Sequence, residues 1–313
     1  MSVVQANAIT INQPKDVALR SLRIDEMGLE DVVVEMEYSG ISTGTEKLIW
    51  SGAMPQFPGM GYPLVPGYES VGRISQAGEK VGLQVGQRVF VPGAKCYGEV
   101  KGLFGGASSH VVIPHQRLTV LDEDFGKEAI LLALAATAYH VTEGKSEAQP
   151  DLIVGHGVVG RLLARIAMAK GKKPIVWETN PIRMTGATGY QVVNPKDDDY
   201  HQYGVICDAS GDASLINQLI TRIRPQGEII LAGFYDQAIS YMFAPAFMRE
   251  MRMRIAAQWQ PKDIQDVYQL IRSKQLVLDG LITHNSNPQD ADSAYQTAFN
   301  DTQCLKMTLD WRQ

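Results

Sequence analysis

Cysteine is scarce. The chain of 313 residues holds three, Cys96, Cys207 and Cys304, far apart and odd in number. That excludes a four-cysteine zinc lobe and fits reduced thiols in a cytoplasm. Basic runs are missing as well: no five Lys or Arg stand together and the formal net charge is −5, so nucleic acid is not an expected partner. Long apolar runs are also missing. The longest, AILLALAATAYHV (129–141), falls short of the ~20 residues that span a bilayer. The start, MSVVQANAIT, lacks the charged opening and apolar stretch of a signal peptide. The expectation is a soluble cytoplasmic protein without a transmembrane segment. What is present is ordinary for a globular chain: 45% hydrophobic and 20% charged residues, enough for sizeable cores in about two domains.

The first 120 residues are punctuated by Gly and Pro and carry short β-rich segments. EDVVVEMEYSG (30–40) alternates Val34, Met36 and Tyr38 against Glu35 and Glu37, the pattern of a half-buried strand. ESVGRISQAG, VGQRVFVPG and SSHVVIPHQRLTVL read the same way, and such spacing indicates a sandwich or barrel. FGKEAILLALAATAYHVTEG (125–144) is an Ala/Leu-rich buried helix expected to stop at Gly144. From Asp151 the pattern becomes strand, glycine turn, helix, strand. DLIV, RLLARIAMAKG, PIVWE, YGVICDASG, a helix over DASLINQLITRI and GEIILAGF form that alternation, the signature of a parallel sheet with crossover helices. After Asp279, LITH, a helix over PQDADSAYQTAFN and CLKMTLDW form a short tail.

GHGVVG (155–160) fits G-x-G-x-x-G between the strand DLIV and a helix, the context that makes this hexapeptide informative. Gly155 makes the turn, Gly157 lets the backbone approach a pyrophosphate, and Gly160 permits close packing of helix on strand. Val158 and Val159 open the helix, whose N-terminus attracts phosphate charge. Glu178 ends the next strand, 178 − 155 = 23 residues on, where a carboxylate binds the ribose 2′-OH and repels a 2′-phosphate. NAD is favoured over NADP; Arg183 nearby keeps NADP open.

A β-rich first part, a late dinucleotide unit and a C-terminal return strand together resemble the medium-chain dehydrogenase/reductase family across essentially the whole chain. GISTGTE (40–46) is similar to that family's Gly-Ile-Cys-x-x-Asp, PGYESVG (66–72) to its Pro-Gly-His-Glu-x-x-Gly, and VGLQVGQRVFVPG more loosely to its Val-Gly-Asp-x-Val. The resemblance implies an α/β fold with a GroES-like β-rich catalytic domain (1–124 and 281–313) and a Rossmann doubly wound parallel-sheet domain (125–280). It also implies hydride transfer in the cleft between them. In zinc-dependent members the segments supply cysteine and histidine ligands. Here the matching positions hold Ser42, Tyr68 and Ala133, and Glu69 alone survives. Zinc sites use about three Cys, His or carboxylate ligands, so the expected metal is none. The run SGISTGTEKLIWSGAMPQFPGMGYPLVPGYESVG (39–72) resembles more narrowly a zinc-free branch of the family. That branch oxidises the 3-(1-hydroxyethyl) group of a chlorophyllide to 3-acetyl with NAD in bacteriochlorophyll synthesis. The partner so implied is a tetrapyrrole. The rivals on the same fold are a zinc-free NAD(P)H-dependent quinone or enoyl reductase, and a non-catalytic NAD-binding sensor.

Within that frame Tyr68 or Glu69 is the candidate carrier of the alcohol proton, directly or through water and the hydroxyls of Ser42, Thr43 and Thr45. The alternative makes Glu69 a structural carboxylate paired with a buried polar group and Tyr68 a packed wall. His140 lies in a segment that the resemblance places near the nicotinamide, with Thr137. Ala232, Gly233 and Phe234 close a strand at the expected cofactor edge. His156 sits inside the glycine turn, pointing to solvent or cofactor, and His110, His115, His201 and His284 read as surface or structural residues. Residues 231–259 are rich in Met and aromatics, so Tyr241 and Met242 are pocket candidates with Phe57, Met60 and Tyr62 of FPGMGYP. The other use of that stretch is a core or a subunit interface, hence a homodimer. Arg249, Arg252 and Arg254 face either a substrate carboxylate or solvent.

Overall fold

The computed structural model describes residues 5–143, 149–256 and 258–312; the helix stop expected at Gly144 lies outside them. The chain divides into two compact units, Met1–Ala133 with Leu281–Gln313, and Leu134–Gly280.

In the first unit the strand Asp31–Ile41 organises a seven-stranded sheet. It pairs antiparallel with Ser70–Ala77, His110–Pro114 and Met307–Asp310. The half-buried alternation expected for it holds only in part. Val33 is as buried as Val34 and Met36, because the strand is central and packed on both faces. Each such buried side chain contributes about 1.5–3 kcal/mol. Bulges interrupt its pairing at Val33/Val34 and Met36/Tyr38, shifting the two-residue period. A four-stranded sheet contains the hairpin Gln5–Gln13/Asp16–Arg23, Leu64–Val65 and Lys101–Gly102. Of LITH only His284 enters a strand, His284–Ser286, which pairs parallel with Met307–Asp310.

In the second unit six parallel strands lie in the order Gln191–Val193, Ile175–Trp177, Leu152–Val154, Tyr203–Asp208, Ile223–Leu231, Arg252–Ile255. Numbered along the chain this is 3-2-1-4-5-6, the doubly wound order. The order reverses beside Leu152–Val154, so the carboxyl end of that strand opens the crevice where ligands of such sheets bind. The helix Val158–Ala169 follows it directly and ends at Gly171, whose φ of 80° suits the left-handed residue after a helix. The helix Pro261–Arg272, which the sequence pattern did not reveal, is fixed by a capping box in which the Asp263 carboxylate accepts from the Gln260 N–H. No helix among the described residues is long and apolar enough to cross a membrane.

Candidate functional site

Antiparallel pairing assembles the first cluster. Ser39 faces Ser70 across the sheet, so the residues leaving one strand meet those entering the other. Ser42 Oγ and Tyr68 Oη lie 2.7 Å apart, and the Thr45 side chain hydrogen-bonds the same phenol. Thr43 is half-buried in the same turn. The Tyr68 ring packs edge-on against Phe104 at 5.4 Å. Burial first, and the Glu69 carboxylate second, push the phenol well above its usual pKa, so it is protonated at neutral pH.

Glu69 does not face open space. Its carboxylate is fully buried against the Lys306 ammonium, itself 1% exposed. Burial raises the carboxyl pKa and Lys306 opposes the rise. Gly40 makes the space for this pair: a Cβ there would stand 2.9 Å from Glu69 Oε2 and 3.0 Å from Lys306 Cε. A second buried carboxyl, Glu46, accepts the Ser42 N–H at 3.1 Å and the Tyr295 hydroxyl at 2.8 Å. Burial lifts it to about 7, so its charge changes around neutrality one residue pair away from the phenol.

The second unit carries the glycine turn. Gly155 has φ 93° and lies against Ser210, with a Cβ reaching its Cα at 3.3 Å. A Cβ on Gly160 would sit 1.9 Å from the Gly155 carbonyl oxygen, so only glycine lets helix and turn pack. A Cβ on Gly157 would meet nothing within 4 Å, leaving the turn open on the side where a pyrophosphate would approach. The first turn of the helix begins with Val158 and Val159 and supplies free N–H groups there. Glu178 accepts from the N–H groups of Thr179 and Asn180 at 2.8 Å and of His156 at 3.1 Å. Gly233 packs against Gly211 (Cβ to N 2.7 Å), and the Ala232 and Gly233 N–H groups bond the Asp208 carbonyl. Phe234 beside them is half exposed. The turn, the Ser210–Gly211 loop and residues 232–234 thus stand together at the carboxyl ends of three neighbouring inner strands.

Other expected residues lie elsewhere. His140 Nδ1 bonds the Asp263 carboxylate at 2.9 Å, on the helix it shares with Thr137. His156 is fully buried, contrary to the expectation of solvent or cofactor, because both ring nitrogens bond protein groups. Met60 belongs to the core of the first unit, and Tyr62 packs on that core while its hydroxyl donates to the Ile49 carbonyl; of the three candidates on that loop, Phe57 is the exposed one. Tyr241 and Met242 are exposed in the second unit, so the five pocket candidates do not form one lining within either unit. Arg249, Arg252 and Arg254 donate to the carbonyls of Ile223, Gln226 and Val141, which ties all three to the sheet and its neighbours.

Residues 28–123 match the family of alcohol dehydrogenase GroES-like domains. The chain is 53% identical over 311 residues to 2-desacetyl-2-hydroxyethyl bacteriochlorophyllide A dehydrogenase of Rhodobacter capsulatus, covering 99% of each. It is 49% identical, again over 99% of each, to the dehydrogenase of the same name from Cereibacter sphaeroides. The chain belongs to the bacteriochlorophyllide dehydrogenase family, within the medium-chain dehydrogenases/reductases. A short chain alcohol dehydrogenase of Escherichia coli CFT073 complexed with NADH has the same fold at TM-score 0.83 and 22% identity, covering 98% of this chain and 99% of its own.

Of the positions that the resemblance matched to metal ligands, Ser42 and Tyr68 bond each other, and Ala133 carries no side-chain donor atom. No group of three His, Cys, Asp or Glu side chains that could hold a metal ion occurs among the described residues. Two site residues escaped the sequence reading. Lys306 is the single charged residue in CLKMTL, the one signal that could have marked it as a buried charge. Glu46 lies in GISTGTE, a segment read for its hydroxyls.

Proposed function

We propose that the protein oxidises the 3-(1-hydroxyethyl) group of a chlorophyllide or bacteriochlorophyllide to 3-acetyl, with NAD and without a catalytic metal, in cytoplasmic bacteriochlorophyll synthesis. The observation that carries this reading is full-length identity of 53% to a dehydrogenase named for that substrate. The alcohol loses a hydride from carbon and a proton from oxygen, giving ketone, NADH and one proton. The residues fit the dinucleotide: the Gly155–Gly160 turn would hold its pyrophosphate and Glu178 its ribose hydroxyls. When bound, the nicotinamide supplies the hydride acceptor. Tyr68 carries the alcohol proton, accepting it as its own passes toward Ser42 Oγ or Thr45; Glu69 and Lys306 hold the bend beneath it. Without a metal to stabilise alkoxide, the conjugated macrocycle makes the carbinol carbon easier to oxidise, and orientation supplies much of the rest.

The test is to incubate the purified, metal-analysed protein with NAD and 3-hydroxyethyl chlorophyllide and follow the pigment spectrum. The expected result is one NADH per acetyl group formed, with kcat/KM for NAD about tenfold or more above that for NADP, because Glu178 repels a 2′-phosphate. No acetyl product, or conversion with NADP alone, would overturn it.

The homodimer reading is supported by an apolar surface on the second unit. Ile255 (74% exposed) lies on the edge strand Arg252–Ile255, and Phe243 (71%), Phe247 (63%) and Met248 (75%) lie on the helix Phe243–Met248 that precedes it in the chain. Light scattering is expected to give twice the chain mass, falling to one chain mass in Phe247→Asp.

A further inference from the structure

His156 occupies the second position of the glycine turn, where any residue would satisfy the motif, yet all its polar atoms are engaged. Its Nδ1 lies 2.6 Å from the Arg183 carbonyl and its Nε2 2.8 Å from the Tyr190 hydroxyl. A carbonyl only accepts, so Nδ1 carries the proton and Nε2 accepts from the Tyr190 O–H. The ring also meets Tyr190 edge-on at 5.6 Å. The backbone completes the set: its N–H goes to Glu178 at 3.1 Å and its carbonyl accepts from Arg161 Nε at 3.1 Å. Arg161 in turn donates to the carbonyls of Arg183 and Thr185.

Apart from the bond between the His156 carbonyl and Arg161, which ties the turn to its own helix, these contacts join the turn, or the helix after it, to residues 178–190. Glycines on that segment allow the approach: a Cβ on Gly186 would meet Arg161 Nη1 at 2.6 Å, and one on Gly189 would meet Met168 Cε at 2.2 Å. Burial holds the imidazole down to about 4, in keeping with the neutral tautomer that the carbonyl demands.

We propose that His156 is a positioning residue for the dinucleotide: its neutral imidazole holds residues 178–190 on the glycine turn and so sets the Glu178 carboxylate for ribose recognition. The proposal rests on the dinucleotide reading above but not on the pigment substrate.

Titration calorimetry of the full chain with NAD and with NADP tests it. Tyr190→Phe, which keeps the ring and loses one hydrogen bond, is expected to weaken NAD about three- to tenfold. His156→Ala weakens it further, while His156→Asn, whose amide N–H stands in for Nδ1–H, recovers most of the loss. NADP binding changes less, so the preference for NAD narrows. Wild-type NAD affinity in both Tyr190→Phe and His156→Ala, or equal losses for the two dinucleotides, overturns the proposal. A wild-type protein that binds neither overturns it together with the cofactor reading; failure on the pigment alone leaves this test standing.

Discussion

Tyr68→Phe lowers kcat about 10²–10⁴-fold while leaving the affinity for NAD unchanged. The substitution removes one oxygen and keeps the ring, so the packing against Phe104 survives. What disappears is the group that touches both the substrate oxygen, on the proposed reading, and the hydroxyl of Ser42 at 2.7 Å. A phenol pushed above its usual pKa by burial is a poor base by itself at neutral pH. On the proposed reading it acts as a relay, taking one proton as it gives another, and therefore needs its neighbour. Ser42→Ala is accordingly expected to lose activity too, but less, since Thr45 also bonds the phenol. Steady-state kinetics from acid to alkaline pH decide the matter: wild-type kcat throughout in Tyr68→Phe would remove the phenol from the reaction.

Lys306→Met destabilises the fold by about 3–5 kcal/mol, read as a fall of about 10 °C in melting temperature. The magnitude follows from what is left behind. Glu69 is 0% exposed, neither of its oxygens has another hydrogen-bond donor among the described residues, and only the missing Cβ of Gly40 gives it room. Losing the ammonium strands a carboxylate in an apolar setting, where it must either stay charged at great cost or take up a proton. The pH dependence has a definite sign. Glu69 already has a folded pKa raised above 4.5 by burial, and without Lys306 it rises further. Such a group adds stability below its unfolded pKa and loses it as pH climbs through the folded one. The deficit of Lys306→Met relative to the parent is therefore largest at neutral and alkaline pH and shrinks on acidification. Adding Glu69→Gln recovers more than half of the loss, because the stranded charge is gone. A single variant that melts with the parent at pH 8 would show the pair to be energetically idle.

The two units differ in how openly their sites are written. GHGVVG is local: three glycines within six residues answer three local demands, a positive φ at Gly155, an open face at Gly157 and a 1.9 Å approach at Gly160. The strand before it is a short continuous apolar run, buried throughout, and the helix after it follows a period of 3.6. The cluster around Tyr68 is not local. Tyr68 and Ser42 are 26 residues apart, and Glu69 meets a lysine from the far end of the chain. Resemblance of short segments pointed to Ser42, Tyr68 and Glu69, yet it could not tell which of the last two was free to act.

From its residues alone the chain determined the glycine turn, the alternation that builds a parallel sheet and the kinship of 39–72. These depend on chemistry and spacing within a few neighbouring residues. Only the tertiary structure decided that Glu69 is bound to Lys306, that Glu46 lies buried beside Ser42, that His156 turns inward, and that Met60 is core while Met242 is surface. Those outcomes depend on which distant strands and helices the sheets bring together, and burial, which sets every pKa and ion pair concerned, exists only once they have met.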